Sequence, residues 1–209
     1  MSQRVTVVDH PLAADLLRRL RDLDSPREVF RAAAGQLGLL LVIEATRGLQ
    51  TIEEEVATPI GQAHVRRLNG PLVALAVLRA GLGLLPALVE LYPDAVVGFL
   101  GLEREEETFE PTEYYRNVPL AGGAPGLVLE PMLATGGSAA AAVVALREAG
   151  AEPVTLVSVV AAPPGLGRLA DEHPDVHVIT AAIDGRLDDR AFIVPGLGDF
   201  GDRLFGTAR

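Results

Sequence analysis

Short apolar segments that alternate with helical stretches constrain the fold of this chain more than any other feature. The apolar segments lie at 72–78, 95–102, 127–129, 154–160 and 176–182, and the helical patterns between them lie at 84–91, 138–149 and 165–172. Strands that are apolar along their whole length are typical of a parallel sheet that is buried on both faces. The sequence therefore predicts an α/β fold with a doubly wound, mostly parallel sheet.

The N-terminal region, residues 1–50, predicts a helical extension of this sheet. A short mixed strand comes first, and leucines at helical spacing follow His10 and Pro11. A second helix is expected from Pro26 to about Thr46. The sequence contains no internal repeat and no long linker, so residues 1–209 are expected to form a single domain.

A polar segment at 103–118 interrupts the alternation of strands and helices. Its sequence from Glu103 to Tyr115 is rich in glutamate and is bounded by strand-like ends. This pattern predicts an exposed β-arm or flap, although a plain solvated loop has the same composition.

The composition excludes several classes of function. The formal net charge is −10, which disfavours contact with nucleic acid or anionic membranes. Cysteine and lysine are both absent, which excludes thiolate chemistry, a lysine Schiff base and a Walker-type phosphate loop. No apolar run approaches the roughly 20 residues of a membrane span, and the N-terminus lacks the apolar core of a signal peptide. We therefore expect a cytoplasmic protein without a nucleic-acid or membrane partner.

The segment 127–138 is the strongest local indication of a binding site. An apolar strand ends in Glu130, and a short loop with two glycines and the hydroxyls of Thr135 and Ser138 follows. We expect the next helix to be capped by Ser138 and to end at Gly150. Glycine amides and a helix N-terminus bind phosphate groups, and the carboxylate suits the hydroxyls of an adjoining sugar. The loop therefore predicts a sugar-phosphate site, although an ordinary strand-to-helix turn has the same pattern.

The run Glu-Pro-Met-Leu-Ala-Thr-Gly-Gly-Ser at 130–138 resembles the phosphoribosyl-pyrophosphate loop of uracil phosphoribosyltransferases, in which the first residue is Asp. Further matching segments lie in the family's order at 10–12, 44–46, 78–83, 106–108, 110–111, 161–163, 173–176 and 195–199. The resemblance covers nearly the whole chain. It implies a type I phosphoribosyltransferase fold and an enzyme that joins uracil to 5-phospho-α-D-ribose 1-diphosphate (the donor), giving UMP and pyrophosphate.

The resemblance also implies roles for individual residues. Arg79, Arg104 and Asp199 would act in catalysis. The donor would bind to Arg79, Arg104, Glu130, Pro131, Met132, Leu133, Ala134, Thr135, Gly136, Gly137, Ser138 and Asp199. Uracil would bind in the C-terminal segment 185–209, to Ile193, Gly198, Asp199 and Phe200.

A cofactor and further partners are implied by the same resemblance. Mg²⁺ is expected to be held mainly by the substrate, with Glu130 and Asp199 nearby and no protein ligand assigned. GTP is expected as an activator, and the chain is expected to assemble into a dimer or a larger homo-oligomer.

Three positions depart from the family pattern. Glu103 stands where the family has Tyr, Glu130 where it has Asp, and Phe200 where it has Ala. A phenyl ring that points into the base pocket would occlude it, whereas a ring that points away would leave it open. Two alternatives therefore stay open: a catalytically degenerate relative that senses the nucleotide or the donor, and an RNA-binding regulator of pyrimidine operons on the same fold.

Overall fold

The computed structural model describes residues 4–104 and 111–207. Its helices are α1 (Pro11–Arg21), α2 (Arg27–Ala45), α3 (Leu85–Leu91), α4 (Gly137–Glu148), α5 (Pro163–Glu172) and α6 (Phe200–Phe205). Its strands are β1 (Val5–Val7), β2 (Thr51–Thr58), β3 (Gly61–Leu68), β4 (Val73–Leu78), β5 (Val96–Arg104), β6 (Pro111–Asn117), β7 (Gly126–Leu129), β8 (Met132–Leu133), β9 (Val154–Ala161), β10 (His177–Ile183), β11 (Arg186–Leu187) and β12 (Ile193–Val194).

The central sheet has the strand order β1-β10-β9-β7-β4-β5-β6, and β8 continues the pairing along β9. In this order each pair of neighbouring strands from β1 through β10, β9, β7 and β4 to β5 is parallel, whereas β6 pairs antiparallel with β5. The sheet confirms the predicted doubly wound, mostly parallel architecture. It also brings the carboxyl ends of β4, β5 and β7 to one edge, which is where sheets of this kind bind ligands.

Two separate cores explain why the strands are apolar throughout. On β7, Leu127 and Leu129 pack into the core that contains α2 and α3, whereas Val128 packs into the core that contains α4 and α5. Because successive side chains of a strand point to opposite faces, a sheet covered by helices on both faces needs an apolar residue at every position.

The N-terminal region contributes both helices and a strand to this architecture. The helices α1 and α2 pack together through buried residues that include Leu16, Leu20 and Phe30. The strand β1 lies parallel to β10 at the edge of the sheet, with Val5 opposite Val178. None of the helices within residues 4–104 and 111–207 is both long enough and apolar enough to span a bilayer.

The antiparallel hairpin β2–β3 follows α2 in the chain and is not among the elements expected from the apolar and helical patterns. Its strands are joined by Pro59 and Ile60, and charged pairs such as Glu54 with Arg67, at 2.7 Å, link them across the hairpin. The missed signal is a Pro-Ile-Gly turn between two segments of mixed polarity.

The predicted arm at 103–118 falls partly within the described residues. The end of β5 and the strand β6 form an antiparallel pair, with Glu103 opposite Thr112. The tip that would join them, at 105–110, lies outside the described residues.

Candidate active site

A cleft of about 670 Å³ opens at the carboxyl edge of the sheet. This volume is within the range of small-molecule sites, which is roughly 300–1,000 Å³. The cleft brings together predicted site residues from three parts of the chain, namely Arg79, Glu130, Met132, Ala134, Ser138, Ile193, Gly198, Asp199 and Phe200. Within the described residues, Pro131, Leu133, Thr135, Gly136 and Gly137 belong to the same loop as Glu130 but are not among the residues that line the cleft.

The loop at 130–138 is held against β9 by main-chain hydrogen bonds. The amide of Glu130 donates to the carbonyl of Val157 at 3.1 Å, and β8 pairs with the end of β9. The Glu130 side chain lies in the cleft although the residue is only 8% exposed. A carboxylate in this position can accept hydrogen bonds from a bound ligand while the surrounding apolar residues exclude water.

The helix α4 begins one residue earlier than Ser138, at Gly137, so the predicted N-cap is wrong. Its N-cap is Gly136, which has a φ of 86° and therefore a left-handed conformation. A Cβ at this position would also lie 2.9 Å from the carbonyl oxygen of Gly165, so glycine is required by both conformation and space. Gly150, in contrast, ends the helix as predicted, with a φ of 86° just beyond its C-cap.

Because α4 starts at Gly137, the N-terminus of the helix belongs to the loop at 130–138. The first amides of a helix have no carbonyl partner within it and carry a partial positive charge, so they bind anions. Ser138, in the first turn, lines the cleft beside them. The arrangement is therefore suited to a phosphate group.

Arg79 follows β4, the neighbour of β7 in the sheet, and lines the cleft. Its guanidinium donates from Nη2 to Asp202 Oδ1 at 2.9 Å and from Nη1 to Thr207 Oγ1 at 3.1 Å. Its side chain remains 51% exposed, so it is accessible to a ligand. Arg104, the second predicted diphosphate ligand, ends β5, and its side chain lies outside the described residues.

The C-terminal segment forms the remaining wall. Ile193 belongs to β12, and Asp199 is the N-cap of α6, where its Oδ1 accepts a hydrogen bond from the amide of Asp202 at 2.8 Å. Gly198 has a φ of 77°, so the chain turns sharply just before Asp199. This turn presents several main-chain groups to the cleft in one short segment.

The ring of Phe200 packs in the core. The residue is 1% exposed, and its ring lies edge-to-face with Phe30 at a centroid distance of 5.3 Å. On its other side the ring is in contact with Gly83, where an added Cβ would lie 2.5 Å from Cε1 of Phe200. The ring therefore does not fill the base pocket, and of the two orientations left open by the sequence it has the harmless one.

Comparison with known proteins identifies the family. The family model for uracil phosphoribosyltransferase matches residues 7–207. A uracil phosphoribosyltransferase of Thermus thermophilus is 47% identical over 206 residues, which cover 98% of this chain and 99% of the relative. The one from Salinibacter ruber is 45% identical over 206 residues, with 98% of each chain covered. This chain belongs to the uracil phosphoribosyltransferase family.

Solved structures share the fold of this chain. The AQ2163 protein of Aquifex aeolicus has a TM-score of 0.94 to this chain at 37% identity, with 98% and 99% of the two chains covered. A phosphoribosyltransferase of Corynebacterium diphtheriae, at 18% identity and a TM-score of 0.51, shares the fold. The family and the fold that the sequence implied are thus confirmed, while the roles of the single site residues stay predictions.

Two residues were not singled out from the sequence, namely Tyr114, which lines the cleft, and Asp184, which is not among the lining residues. Tyr114 of β6 lines the cleft with its ring over Gly101, where a Cβ would lie 2.6 Å from the ring. Asp184, which follows β10, binds Arg21 of α1 and the main chain of Gly196. Asp184 could have been identified as a candidate site residue, because it is an acid directly after a buried strand, as Glu130 is. For Tyr114 the sequence offered no indication of a role at the site other than its position in the predicted arm.

Proposed function

We propose that this chain transfers the phosphoribosyl group from 5-phospho-α-D-ribose 1-diphosphate to uracil, giving UMP and pyrophosphate. The proposal is supported by the residues that line the cleft, together with the membership of this chain in the uracil phosphoribosyltransferase family. One cavity is lined by Ser138 in the first turn of α4, a nearly buried acidic residue, an arginine and a turn at the C-terminal segment. These are the groups needed to hold a sugar phosphate, its diphosphate and a planar base together.

The donor would bind along the loop at 130–138. Its 5′-phosphate suits the first amides of α4 and the hydroxyls of Thr135 and Ser138, since these are hydrogen-bond donors at a positive helix end. Its ribose hydroxyls suit the Glu130 carboxylate, which accepts hydrogen bonds. Its diphosphate suits Arg79, with Arg104 as a second cation that the family resemblance supports.

Uracil would bind at the C-terminal turn, to main-chain groups of Ile193 and of the residues from Gly198 to Phe200. The edge of uracil carries both donors and acceptors, and main-chain N–H and C=O groups match both. Because the Phe200 ring lies in the core, its main chain can contact the base without steric conflict.

The reaction breaks the bond between C1′ and the diphosphate, and the electron pair leaves with pyrophosphate. Positive charge develops on the ribose ring, and N1 of uracil forms the new bond to C1′ and releases its proton. Arg79 stabilises the charge of the leaving group, and Asp199, a carboxylate lining the base side of the cleft, can accept the proton. The rest of the site positions the two reactants.

Mg²⁺ fits this site as an ion held mainly by the substrate. Glu130 and Asp199 offer the oxygen ligands that Mg²⁺ prefers, and this ion commonly combines one or two carboxylates with substrate phosphates. In the described part of the chain no group of three or more histidine or acidic side chains could hold a metal ion by itself. When bound, Mg²⁺ neutralises charge on the diphosphate.

The test is incubation of the purified chain with uracil, donor and Mg²⁺, with UMP and pyrophosphate measured in equal amounts. Glu130→Gln should lower kcat/KM by roughly 10- to 100-fold, since a charge-assisted hydrogen bond contributes about 1.5–3 kcal/mol. Glu148→Gln, at the far end of α4 and exposed, is the matched control. Donor binding without turnover of any pyrimidine would instead support the donor-sensing alternative, and RNA binding in a gel-shift assay would support the regulator. Neither alternative is favoured by the relatives' names.

Three further properties belong to the proposal. A cytoplasmic location is supported by the donor's charge, since a sugar with several phosphate charges does not cross an apolar bilayer. Activation by GTP and assembly into a homodimer or larger oligomer are supported by the resemblance. Turnover measured with and without GTP, and sedimentation of the purified chain, test these two properties.

A further inference from the structure

An ion pair between α1 and the end of β10 holds the main chain of Gly196. Arg21, the last residue of α1, donates from Nη1 and Nη2 to the two carboxylate oxygens of Asp184 at 2.7 and 2.8 Å. The same Nη1 donates to the carbonyl oxygen of Gly196 at 2.8 Å. The amide of Gly196 donates to Asp184 Oδ2, also at 2.8 Å. Both polar main-chain groups of Gly196 are therefore bound by one ion pair, and we call Arg21, Asp184 and Gly196 the Gly196 clamp.

The clamp is largely removed from water. The Asp184 side chain is 7% exposed and the Arg21 side chain 26%. The hydrogen bonds from Arg21 hold the pKa of Asp184 below its ordinary value, so this carboxylate stays charged at neutral pH. A buried bidentate pair holds its geometry firmly, because breaking it leaves a desolvated charge without a partner.

Gly196 lies in the middle of residues 193–200, which we call the base segment because their main chain is expected to contact uracil. It lies between Ile193 and Gly198, the residues whose main chain is expected to contact uracil, and it has a φ of 54°. An added Cβ would collide with the carbonyl oxygen of Ile193, so the chain folds back on itself here. The position of Gly196 therefore sets the separation of the two flanks of the base segment.

A second set of hydrogen bonds holds Leu197, the residue that follows Gly196. Arg203 of α6 donates from Nη1 to the carbonyl of Leu197 at 2.9 Å and to the carbonyl of Leu20, next to Arg21. The end of α1 is thus connected to two consecutive residues of the base segment, Gly196 and Leu197. This connection passes through neither the donor loop nor Arg79.

We propose that Arg21 and Asp184 are positioning residues for the base, which set the affinity for uracil by fixing the main chain around Gly196. The proposal rests on the proposed function. A base read by main-chain groups depends on where the backbone lies, and a displacement of about 1 Å in such a site can cost roughly 100-fold in rate. Loosening the clamp should therefore weaken uracil binding while leaving the donor site intact.

The experiment compares Asp184→Asn and Arg21→Lys with the parent. Asp184→Asn removes the charge, and Arg21→Lys keeps the charge but loses the planar fork that binds both carboxylate oxygens. We expect KM for uracil to rise roughly tenfold or more, while KM for the donor stays within about twofold. Calorimetric titration with uracil and with the donor measures binding without requiring turnover. If the parent is inactive, the proposed function is contradicted, and the titrations still test whether the clamp sets the affinity for uracil.

Asp175→Asn is the matched control, because Asp175 precedes β10 at the end opposite Asp184 and pairs with Arg147 at 2.6 Å. It should leave KM for uracil unchanged. The proposal is overturned if folded clamp variants bind uracil like the parent, or if they lose uracil and donor binding equally. Failure of both clamp variants to fold would also overturn it, since the pair would then serve general stability.

Discussion

Phe200→Ala tests where the phenyl ring lies and what it does. The ring is fully buried between Phe30 and Gly83, and large-to-small changes of a buried Phe cost about 3–5 kcal/mol. A domain of this kind has a total stability of about 5–15 kcal/mol, so a large share would be lost. At about 2–4 °C per kcal/mol for a chain of this size, Tm should fall by roughly 6–20 °C.

The catalytic effect of the same change follows from the position of Phe200 at the first turn of α6, directly after Asp199. A cavity beneath this turn loosens the main chain that is expected to contact uracil, so we expect KM for uracil to rise. Thermal unfolding followed by circular dichroism and steady-state kinetics measure the two effects. Phe205→Ala, on the same helix and only partly buried, should lower Tm by less.

Gly83→Ala provides an independent check on the same contact. The new methyl group would lie 2.5 Å from Cε1 of Phe200, and overpacking of this kind costs about 1–3 kcal/mol. In the Phe200→Ala background the ring atoms are gone and Leu204 Cδ2, at 3.1 Å from the new methyl group, is the close neighbour that remains, so most of the penalty should disappear and a double-mutant cycle should show strong coupling. Additive effects, or a Phe200→Ala variant with unchanged Tm and a higher kcat/KM for uracil, would mean that the ring occupies the base site.

Three further outcomes are expected. Arg79→Gln should raise KM for the donor by roughly 10- to 100-fold, since a charged hydrogen bond contributes about 1.5–3 kcal/mol; an unchanged donor KM would remove Arg79 from the diphosphate site. Gly136→Ala should lower both Tm and donor affinity because the residue has a φ of 86°, and a variant with normal values would contradict that geometry. The pKa of Asp184 is lowered from 3.8 by its hydrogen bonds with Arg21, so the stability that the pair contributes is complete above about pH 5 and is lost as the pH falls through the folded-state pKa. Asp184→Asn should accordingly be less stable at pH 7 but lose less stability on acidification than the parent, as urea unfolding at several pH values would measure.

The strands and the loop at 130–138 could be predicted from the sequence because the patterns that indicate them are local. Leu127, Val128 and Leu129 are apolar because each faces one of two cores, so the run alone indicates a doubly covered strand. The loop that follows carries its glycines, hydroxyls and acid within a few residues, and neighbouring residues in a chain are also neighbours in space. Even there the cap was misplaced, because the left-handed conformation of Gly136 depends on close packing against Gly165.

The hairpin β2–β3 shows that a local pattern of apolar residues does not reveal strands that are mostly exposed. Its residues are mostly exposed, and pairs such as Glu54 with Arg67 replace the apolar side chains that mark a buried strand. A pairing between charged residues of two segments cannot be seen in either segment by itself. The hairpin was therefore missed although its turn carried a signal.

The amino-acid sequence alone was sufficient for the family and the parallel sheet, since these depend on the order of residues and their short-range spacing. Only the tertiary structure decided which way the Phe200 ring points, which groups Arg79 contacts and how Arg21 meets Asp184, whose positions differ by 163 in the chain. Contacts of this kind depend on how whole helices and strands pack. A residue's identity states what it can bind, and the packing of distant elements determines what it does bind.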